Sequence, residues 1–487
     1  MTTAGMPGCA EDEVLVLSLD ELRAENAALK AQVETCQTEI VALKAKVAAL
    51  EKNSSTSSKP PSSDFGKNRK PKNKKKESKD DAKRKRGGQP GHQAHFRNPF
   101  DDADVDYKEI FCKECPDCHG VLTRSKQPPK VIQQIELPMP SETISVVGFR
   151  SHAGWCNKCK QVHYTSFDDA DERAGLFGPR LTTLVGYLKS VCHCSFTTIR
   201  RFMRDLFDVR ISRGFLAKVV AKISDSLEQT YNDLLKLLPS QDRLNIDETG
   251  HKDYKTSMWT WCFRASLFTL FKIDASRGSK VLLEVLGKEF NGIIGCDYFS
   301  AYRKYMKDCN VLLQFCLAHF LRDVRFLTEH PNAKNQAYGQ RVLSKMRALF
   351  GVIHDRENYT EEGFANALED AGNELHAEVL YRVPKTREAK NLANRFKKHG
   401  DSYLRFITTP GLEPTNNLAE QAIRFVVIDR KITQGSRGET GQRWLERIWT
   451  VIATCAQSDQ SVFTFLHETV TAFFQGIPAP KLIPDST

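Results

Sequence analysis

The sequence lacks any run of about 18 apolar residues, the length that a membrane-spanning helix needs. Its start places Glu11, Asp12 and Glu13 before a short apolar stretch, so the basic region of a secretory signal peptide is also missing. Both absences predict a cytoplasmic protein without a membrane partner. Thiols are kept reduced in that compartment, so close pairs among the 14 cysteines indicate metal ligands rather than disulfides.

The composition lacks the bias of a wholly disordered chain, because 40% of the 487 residues are hydrophobic. The formal net charge is +11, and between Lys59 and Arg86 there are 13 basic and 4 acidic residues. Residues 52–98 are rich in Ser, Pro, Lys and Gly, which predicts a flexible basic arm. The arm is either a solvated linker or a segment that binds nucleic-acid phosphates. The candidate contacts are Lys74, Lys75, Lys76, Lys83, Arg84, Lys85 and Arg86.

A seven-residue repeat of apolar positions predicts a coiled coil over residues 15–51. The a positions are Leu19, Asn26, Val33, Ile40 and Val47, and the d positions are Leu22, Leu29, Cys36, Leu43 and Leu50. The alternative is an amphipathic helix that packs on the protein's own core. Asn26 at an a position favours a parallel homodimer, because a buried amide pair sets the register.

Two Cys-x2-Cys pairs predict a zinc-binding ribbon over residues 99–168. Cys115 and Cys118 form the first pair and Cys156 and Cys159 the second, together the four thiolates that structural Zn²⁺ prefers. Cys112 offers a second register, and His119 or His163 could replace a thiol, so the ligand set stays open.

Residues 175–238 have helical periodicity, with Ser195 and Ser212 as predicted N-caps. The second cap begins a single long helix, Arg213 to Leu238. The unit is either a DNA-binding helix-turn-helix or ordinary scaffolding.

From residue 240 the predicted order of elements is β-β-β-α-β-α-β-α, which is typical of an RNase H-like domain. In that topology Asp247 on the first strand lies beside Asp297 at the end of the fourth. Two such carboxylates can hold two divalent ions about 4 Å apart for phosphoryl transfer. Glu420 is the candidate third acid, on a helix that Thr415 or Asn416 would cap, with Arg424 one turn further on.

Two other acids near these strands need a different explanation. Glu248 follows Asp247 and should point to the opposite face, so the Glu248→Gln variant should retain substantial activity. Asp274 precedes a Ser-Arg-Gly turn, where a local capping role is expected.

The segments NIDET, GCDYFSAY, CLAHFLRD and EPTNNLAEQAIR, behind the coiled coil, KPPSSD, GGQPGH and the double Cys-x2-Cys, resemble transposases of the insertion-sequence sixty-six family. The resemblance implies a DDE transposase that uses two Mg²⁺ ions and a structural Zn²⁺. It selects Asp247, with Asp297 and Glu420, as catalytic and Mg²⁺-binding residues. It further implies assisting roles for His319 and Arg322, with a buried structural histidine as the alternative for His319, while Arg424 and Lys431 either meet the DNA backbone or are solvated.

The resulting fold prediction is a multidomain α/β protein with an RNase H-like DDE domain at 240–438, a helical insertion at about 332–409, and a C-terminal helical segment at 439–475. Its predicted partners are the element's terminal inverted repeats, target DNA, a second copy of the chain and accessory proteins of the element, which implies association with the nucleoid. The alternatives are a non-catalytic DNA-binding protein and an RNase H-like nuclease that cuts without joining.

Overall fold

The computed structural model describes residues 19–50, 154–156, 161–163 and 176–484. The chain divides into two compact units, and all of these residues belong to the first, which comprises Met1–Gly66 and Phe149–Thr487. The basic arm, Cys112, Cys115, Cys118, His119 and Cys159 lie outside the described residues. Among those described, no helix combines the length and apolar content that crossing a bilayer requires.

Helix α1 (Leu19–Leu50) covers the predicted heptads. From Leu22 onward its a and d side chains are exposed, including Leu29 (52%), Val33 (54%) and Leu43 (58%). The structure thus contains the helix and its apolar stripe, and the dimer remains a prediction.

A short hairpin lies in the region predicted to bind zinc. Strand β1 (Gly154–Cys156) pairs antiparallel with β2 (Gln161–His163), and the second Cys-x2-Cys pair starts at the end of β1.

The next helices are α2 (Pro179–Ser190), α3 (Phe196–Phe207), α4 (Arg213–Ser226) and α5 (Glu228–Leu237). Both predicted N-caps are confirmed, because Ser195 Oγ accepts the Thr198 N–H at 3.0 Å and Ser212 Oγ accepts the Phe215 N–H at 3.0 Å. The single long helix after Ser212 was wrong, since it breaks at Leu227.

Two contacts account for this break. Ser226 Oγ donates to the Ile223 carbonyl at 2.8 Å, a local bond that competes with helix continuation. Arg447 donates to the Ser224 carbonyl at 2.9 Å and also pairs with Glu228.

The central sheet has five strands in the order β5-β4-β3-β6-β7. These are β3 (Arg243–Asp253), β4 (Thr256–Arg264), β5 (Thr269–Asp274), β6 (Ile293–Cys296) and β7 (Leu312–Phe315). The first three form an antiparallel meander, while β6 pairs parallel with both β3 and β7. Helices α6 (Ser279–Leu286), α7 (Ser300–Cys309) and α8 (Leu317–Thr328) complete the predicted order of elements, which is confirmed, as is the placement of the fourth strand beside the first.

Helices α9 (Ala333–His354), α10 (Glu361–Leu380) and α11 (Arg387–Thr408) lie within the predicted helical insertion. An aromatic cluster packs α11 on β7 and α8: the Tyr403 ring is 5.3 Å from that of Phe315 on β7, and the Phe396 ring is 4.9 Å from that of Phe320 on α8. Arg405 donates to the Leu313 carbonyl at 3.0 Å, which satisfies part of the β7 edge.

Helices α12 (Asn417–Thr433), α13 (Glu439–Gln457) and α14 (Val462–Gln475) complete the described chain. Helix α13 covers the other sheet edge with three side chains spaced four residues apart. Thr454 Oγ1, Thr450 Oγ1 and Glu446 Oε1 accept the N–H groups of Thr269, Phe271 and Ile273 at 3.2, 3.1 and 2.6 Å. The edge of β5 is therefore closed to another strand.

Candidate active site

Asp247 and Asp297 lie at equivalent positions on neighbouring parallel strands. The β3–β6 register pairs Asn245 with Gly295, and Asp247 and Asp297 each follow two residues later. Asp247 Oδ1 accepts the Glu248 N–H at 2.9 Å, and Asp297 Oδ1 accepts the Phe299 N–H at 2.8 Å. The fold thus places the two predicted carboxylates side by side where β6 ends, and this place is called the acidic edge of the sheet.

Burial and mutual repulsion govern the charge of this pair. Burial raises the pKa of Asp247 well above its usual range, and the neighbouring charges of Glu248, Asp297 and Glu420 raise it further. Burial also raises the pKa of Asp297, although the Phe299 N–H and Arg277 oppose that change. A cluster of carboxylates with raised pKa values favours the binding of a cation, which relieves the repulsion.

Glu420 lies in the first turn of α12 and faces α8. Its Oε1 is 3.6 Å from His319 Nδ1, and its Oε2 is 3.7 Å from an Arg322 terminal nitrogen. Both Glu420 Oε1 and His319 Nδ1 are buried without a hydrogen-bond partner among the described residues. Burial and the adjacent Arg322 lower the pKa of His319 to about 4, so its imidazole is neutral at physiological pH.

A second metal-ligand set shares Glu420. Cys316 Sγ, a His319 nitrogen and a Glu420 oxygen lie within 4.8 Å of one another. Thiolate and imidazole donors suit Zn²⁺ rather than Mg²⁺. The Cys316 sulfur also accepts the Asn416 N–H at 3.2 Å.

Asn416 positions the helix that carries Glu420 through contacts that the local sequence pattern did not predict. It occupies the N-cap position of α12, yet its side chain makes no capping bond, so the predicted cap was wrong. Instead Nδ2 donates to the Ile246 carbonyl at 2.8 Å, and Oδ1 accepts from Asn245 Nδ2 at 3.0 Å. Asn416 therefore ties the start of α12 to the strand residue before Asp247.

Gly295 makes room for this clamp. A Cβ at Gly295 would lie 2.6 Å from Asn245 Nδ2, closer than non-bonded atoms approach. The glycine in the Gly-Cys-Asp segment thus lets Asn245 cross β6 and reach Asn416.

Glu248 faces away from Asn245 and Asn416, as strand alternation predicts, but it is not a neutral position. Its carboxylate pairs with Arg277 at 2.7 Å and accepts a 2.5 Å hydrogen bond from the Tyr302 hydroxyl. Burial and the charge of Asp297 raise the pKa of Glu248 to about 7. Because its charge also acts on Asp247, replacement by Gln would change the electrostatics of the site, and the expectation that Glu248→Gln retains substantial activity stays a prediction.

The remaining predicted positions are more peripheral. Asp274 Oδ1 accepts the Ser276 N–H at 2.7 Å, which confirms the expected turn contact. Arg424 and Lys431 are exposed on α12. Although Glu420 and Arg424 are four residues apart, they form no ion pair among the described residues, and Glu420 instead lies near His319 and Arg322.

A basic cleft lies next to Asp297, between α7, α8 and α11, with a volume of about 1050 Å³. Tyr298, the residue after Asp297, forms part of its wall. The sequence patterns did not predict this cleft. Its local signals are basic residues: Arg303, one helical turn into α7, and Arg395, Lys397 and Lys398 in α11.

The sheet and its acidic edge define a mixed α/β domain with a buried cluster of carboxylates. The chain belongs to the IS66 family of transposases: the model described as "Transposase IS66 family" matches residues 174–443, which confirms the resemblance. Residues 11–98 match a family of unknown function, DUF6444. An uncharacterized protein of Sinorhizobium fredii, y4qI, is 22% identical over 311 residues, 58% of this chain and 56% of that protein. The chain thus spans about half the length of this relative.

Proposed function

We propose that the protein is a DDE transposase with an RNase H-like catalytic domain. Asp247, Asp297 and Glu420 would form its acidic triad. The observation that carries the proposal is the register-matched pair Asp247 and Asp297, whose raised pKa values reflect a buried negative cluster that includes Glu420.

The donor set fits Mg²⁺. Carboxylate oxygens are the ligands that Mg²⁺ prefers, and Glu420 Oε1 is buried without a hydrogen-bond partner in the described part of the chain. Bound Mg²⁺ would supply Lewis-acid activation of the phosphodiester and of the attacking oxygen.

The protein's own groups would hold and orient the reactants. Neutral His319, beside Glu420, can orient a water molecule, and Arg322 can contact a phosphate oxygen. Water attacks the phosphodiester at the element's end, the P–O bond to the 3′ oxygen breaks, and the 3′-OH is freed. That 3′-OH then attacks a target phosphate and displaces its 3′ oxygen, so one phosphodiester replaces another without an energy-rich cofactor or a covalent protein intermediate.

The DNA substrate would be the terminal inverted repeats and the target. The basic arm, through the seven residues Lys74 to Arg86 named above, would supply phosphate contacts, and Arg424 and Lys431 would add contacts near the site. Helix α1 would pair with a second copy of the chain through its exposed a and d residues. Accessory proteins of the element would complete the assembly at the nucleoid.

Cys115, Cys118, Cys156 and Cys159 would hold one structural Zn²⁺ per chain. The support is the double Cys-x2-Cys spacing and the β1–β2 hairpin, whose first strand ends at Cys156, the first residue of the second pair. Metal analysis of the purified protein tests this, and Cys115→Ser that retains all its zinc would favour the Cys112 register.

The test of the triad uses substitutions that keep side-chain volume: Asp247→Asn, Asp297→Asn and Glu420→Gln. Each should reduce cleavage and joining of a terminal-repeat DNA by roughly a thousandfold or more while repeat binding is retained. Double variants should be no worse than single ones, because losing any one ligand already disables the site. Asp308→Asn, on the exposed face of α7, is the matched control and should stay active.

The same reactions separate the two alternatives. A nuclease would cut but yield no joined product in a strand-transfer assay. A non-catalytic DNA-binding protein would bind the repeats and do neither. If Glu420→Gln stayed active while another acid of α12 or α13 proved essential, the triad would be wrong even though the fold stood.

A further inference from the structure

The basic cleft beside Asp297 is large and positively charged. Its lining includes five cationic residues, Arg303, Arg387, Arg395, Lys397 and Lys398, against two carboxylates, Asp323 and Glu388. Arg395 already pairs with Asp323 at 2.8 Å, which offsets one of those carboxylates. The remaining excess of cations favours an anionic ligand.

Arg303 is held in place before any ligand binds. Its guanidinium carbon lies 4.4 Å from the centroid of the Tyr298 ring, on which Arg395 also packs at 5.2 Å. Arg303 Nε is buried and has no hydrogen-bond partner among the described residues. A guanidinium fixed by an aromatic ring, with a donor still to be satisfied, suits a phosphate oxygen.

The cleft opens beside the candidate metal ligands through shared elements. Tyr298 directly follows Asp297, and the charge of Arg303 acts on the Asp297 carboxylate. On α8, Arg322 faces Glu420, while Asp323 and Phe326 line the cleft. A strand lying in the cleft would therefore be near Asp297, through Tyr298 and Arg303.

Helix α11 forms one wall of the cleft and bends at a residue of that wall, His399. His399 has φ −140° and ψ 25° inside the helix, and its ring lies 5.8 Å from that of Tyr298. The side chains of Arg387, Lys397 and Lys398 on this helix are exposed. The helical insertion thus contributes most of the free charge of the cleft.

The volume of about 1050 Å³ is near the upper end of the range of ligand clefts, roughly 300–1,000 Å³, and so suits a segment of one strand rather than a duplex.

We propose that this cleft binds the phosphate backbone of a single DNA strand at the acidic site, with Arg303 contacting the phosphate nearest Asp297. The inference rests on the proposed function, and it assigns to the helical insertion the task of holding a strand that has left the duplex.

The test measures binding of a labelled single-stranded DNA of about 12 nucleotides, and of its duplex, to the full chain in EDTA, over a range of salt concentrations. The variant Arg387→Gln/Lys397→Gln/Lys398→Gln removes three exposed cations of the cleft. For the single strand, the slope of the logarithm of the binding constant against the logarithm of the salt concentration should become less steep by about 2, and binding at low salt should be roughly ten- to hundredfold weaker. The duplex should be little affected.

The matched control is Lys304→Gln/Lys307→Gln/Lys390→Gln, three exposed cations of α7 and α11 outside the cleft lining. It carries the same change in net charge, so an equal loss of slope in both triple variants would overturn the proposal. A loss confined to the duplex would also overturn it and would indicate a duplex-binding surface. Arg303→Lys keeps the charge but removes the planar donor, and it should still weaken single-strand binding.

Because EDTA removes catalysis, the two proposals fail separately. If wild type cleaves and joins DNA but the triple variant shows no cleft-specific change in slope, only the strand site is refuted. If the triple variant shows the change in slope but wild type does not cleave DNA, only the transposase activity is refuted.

Discussion

Asn416→Ala is the most informative single change, because it removes a clamp between the helix of Glu420 and the strand of Asp247. Asn416 is 1% exposed, and the change leaves the Ile246 carbonyl and Asn245 Nδ2 without their partners. An unpaired buried polar group costs about 1–3 kcal/mol. We therefore expect the free energy of unfolding to fall by about 3 kcal/mol, after some relaxation.

Urea denaturation, followed by tryptophan fluorescence, measures this loss. The matched control is Asn358→Ala, at an exposed position after α9, which should change stability by less than about 0.5 kcal/mol. A cycle that combines Asn245→Ala with Asn416→Ala should show coupling of about 1 kcal/mol, because the two side chains share one hydrogen bond.

The functional readout separates positioning from simple stability. At a temperature where both proteins are folded, Asn416→Ala should need more Mg²⁺ for half-maximal cleavage, since Glu420 is no longer held beside the sheet. If the variant were as stable as wild type and had the same Mg²⁺ dependence, the proposed role of the clamp would be refuted.

Three further changes test other parts of the structure. Thr450→Val leaves the Phe271 N–H at the β5 edge without its 3.1 Å acceptor and should cost about 2 kcal/mol by urea denaturation; no loss would refute the edge contact. Burial and Arg430 lower the pKa of His251 to about 4 in the native state. As the pH falls below about 6.5, the unfolded chain therefore binds a proton at this residue, whereas the native state does not. The contribution of His251 to stability should therefore be lost as pH drops from about 6.5 to 4, by up to roughly 3 kcal/mol, whereas the buried acids Asp247, Asp297 and Glu248, with raised pKa values, act in the opposite direction. Relative to His251→Gln, wild type should lose stability over this range, whereas exposed His354→Gln should follow wild type. Asn26→Val should strengthen self-association of residues 15–50 in sedimentation but broaden the oligomeric states, and a wild-type monomer at tens of micromolar would contradict the coiled coil.

Local patterns of the sequence were sufficient for most of the elements. Alternation in Arg243–Glu248 and the apolar run before Asp297 mark strands, since each reflects only which face of a short segment is buried. The caps Ser195 and Ser212 are equally local, because the side chain bonds a backbone group three residues away. The RNase H-like topology that this order of elements matches then places β6 beside β3, and so Asp297 beside Asp247.

Contacts between distant segments were beyond such patterns. The break at Leu227 depends on Arg447, more than 200 residues further along the chain, which takes the Ser224 carbonyl. The role of Asn416 depends on Asn245 and on the missing Cβ of Gly295, whereas its own neighbours indicate only a helix cap. The charge state of Glu248 likewise depends on Arg277 and Tyr302, which alternation along one strand does not reveal.

The sequence by itself thus determined the order of strands and helices and which acids reach one edge of the sheet, because these follow from periodicity, local hydrogen bonds and the handedness of the chain. Only the tertiary structure decided how Glu420 is held near that edge, how α13 closes the β5 edge, and how α11 places its cations in the cleft that Tyr298 also lines. The physical reason is the same in each case: a buried polar group must find a partner, and that partner comes from whichever distant segment packs against it.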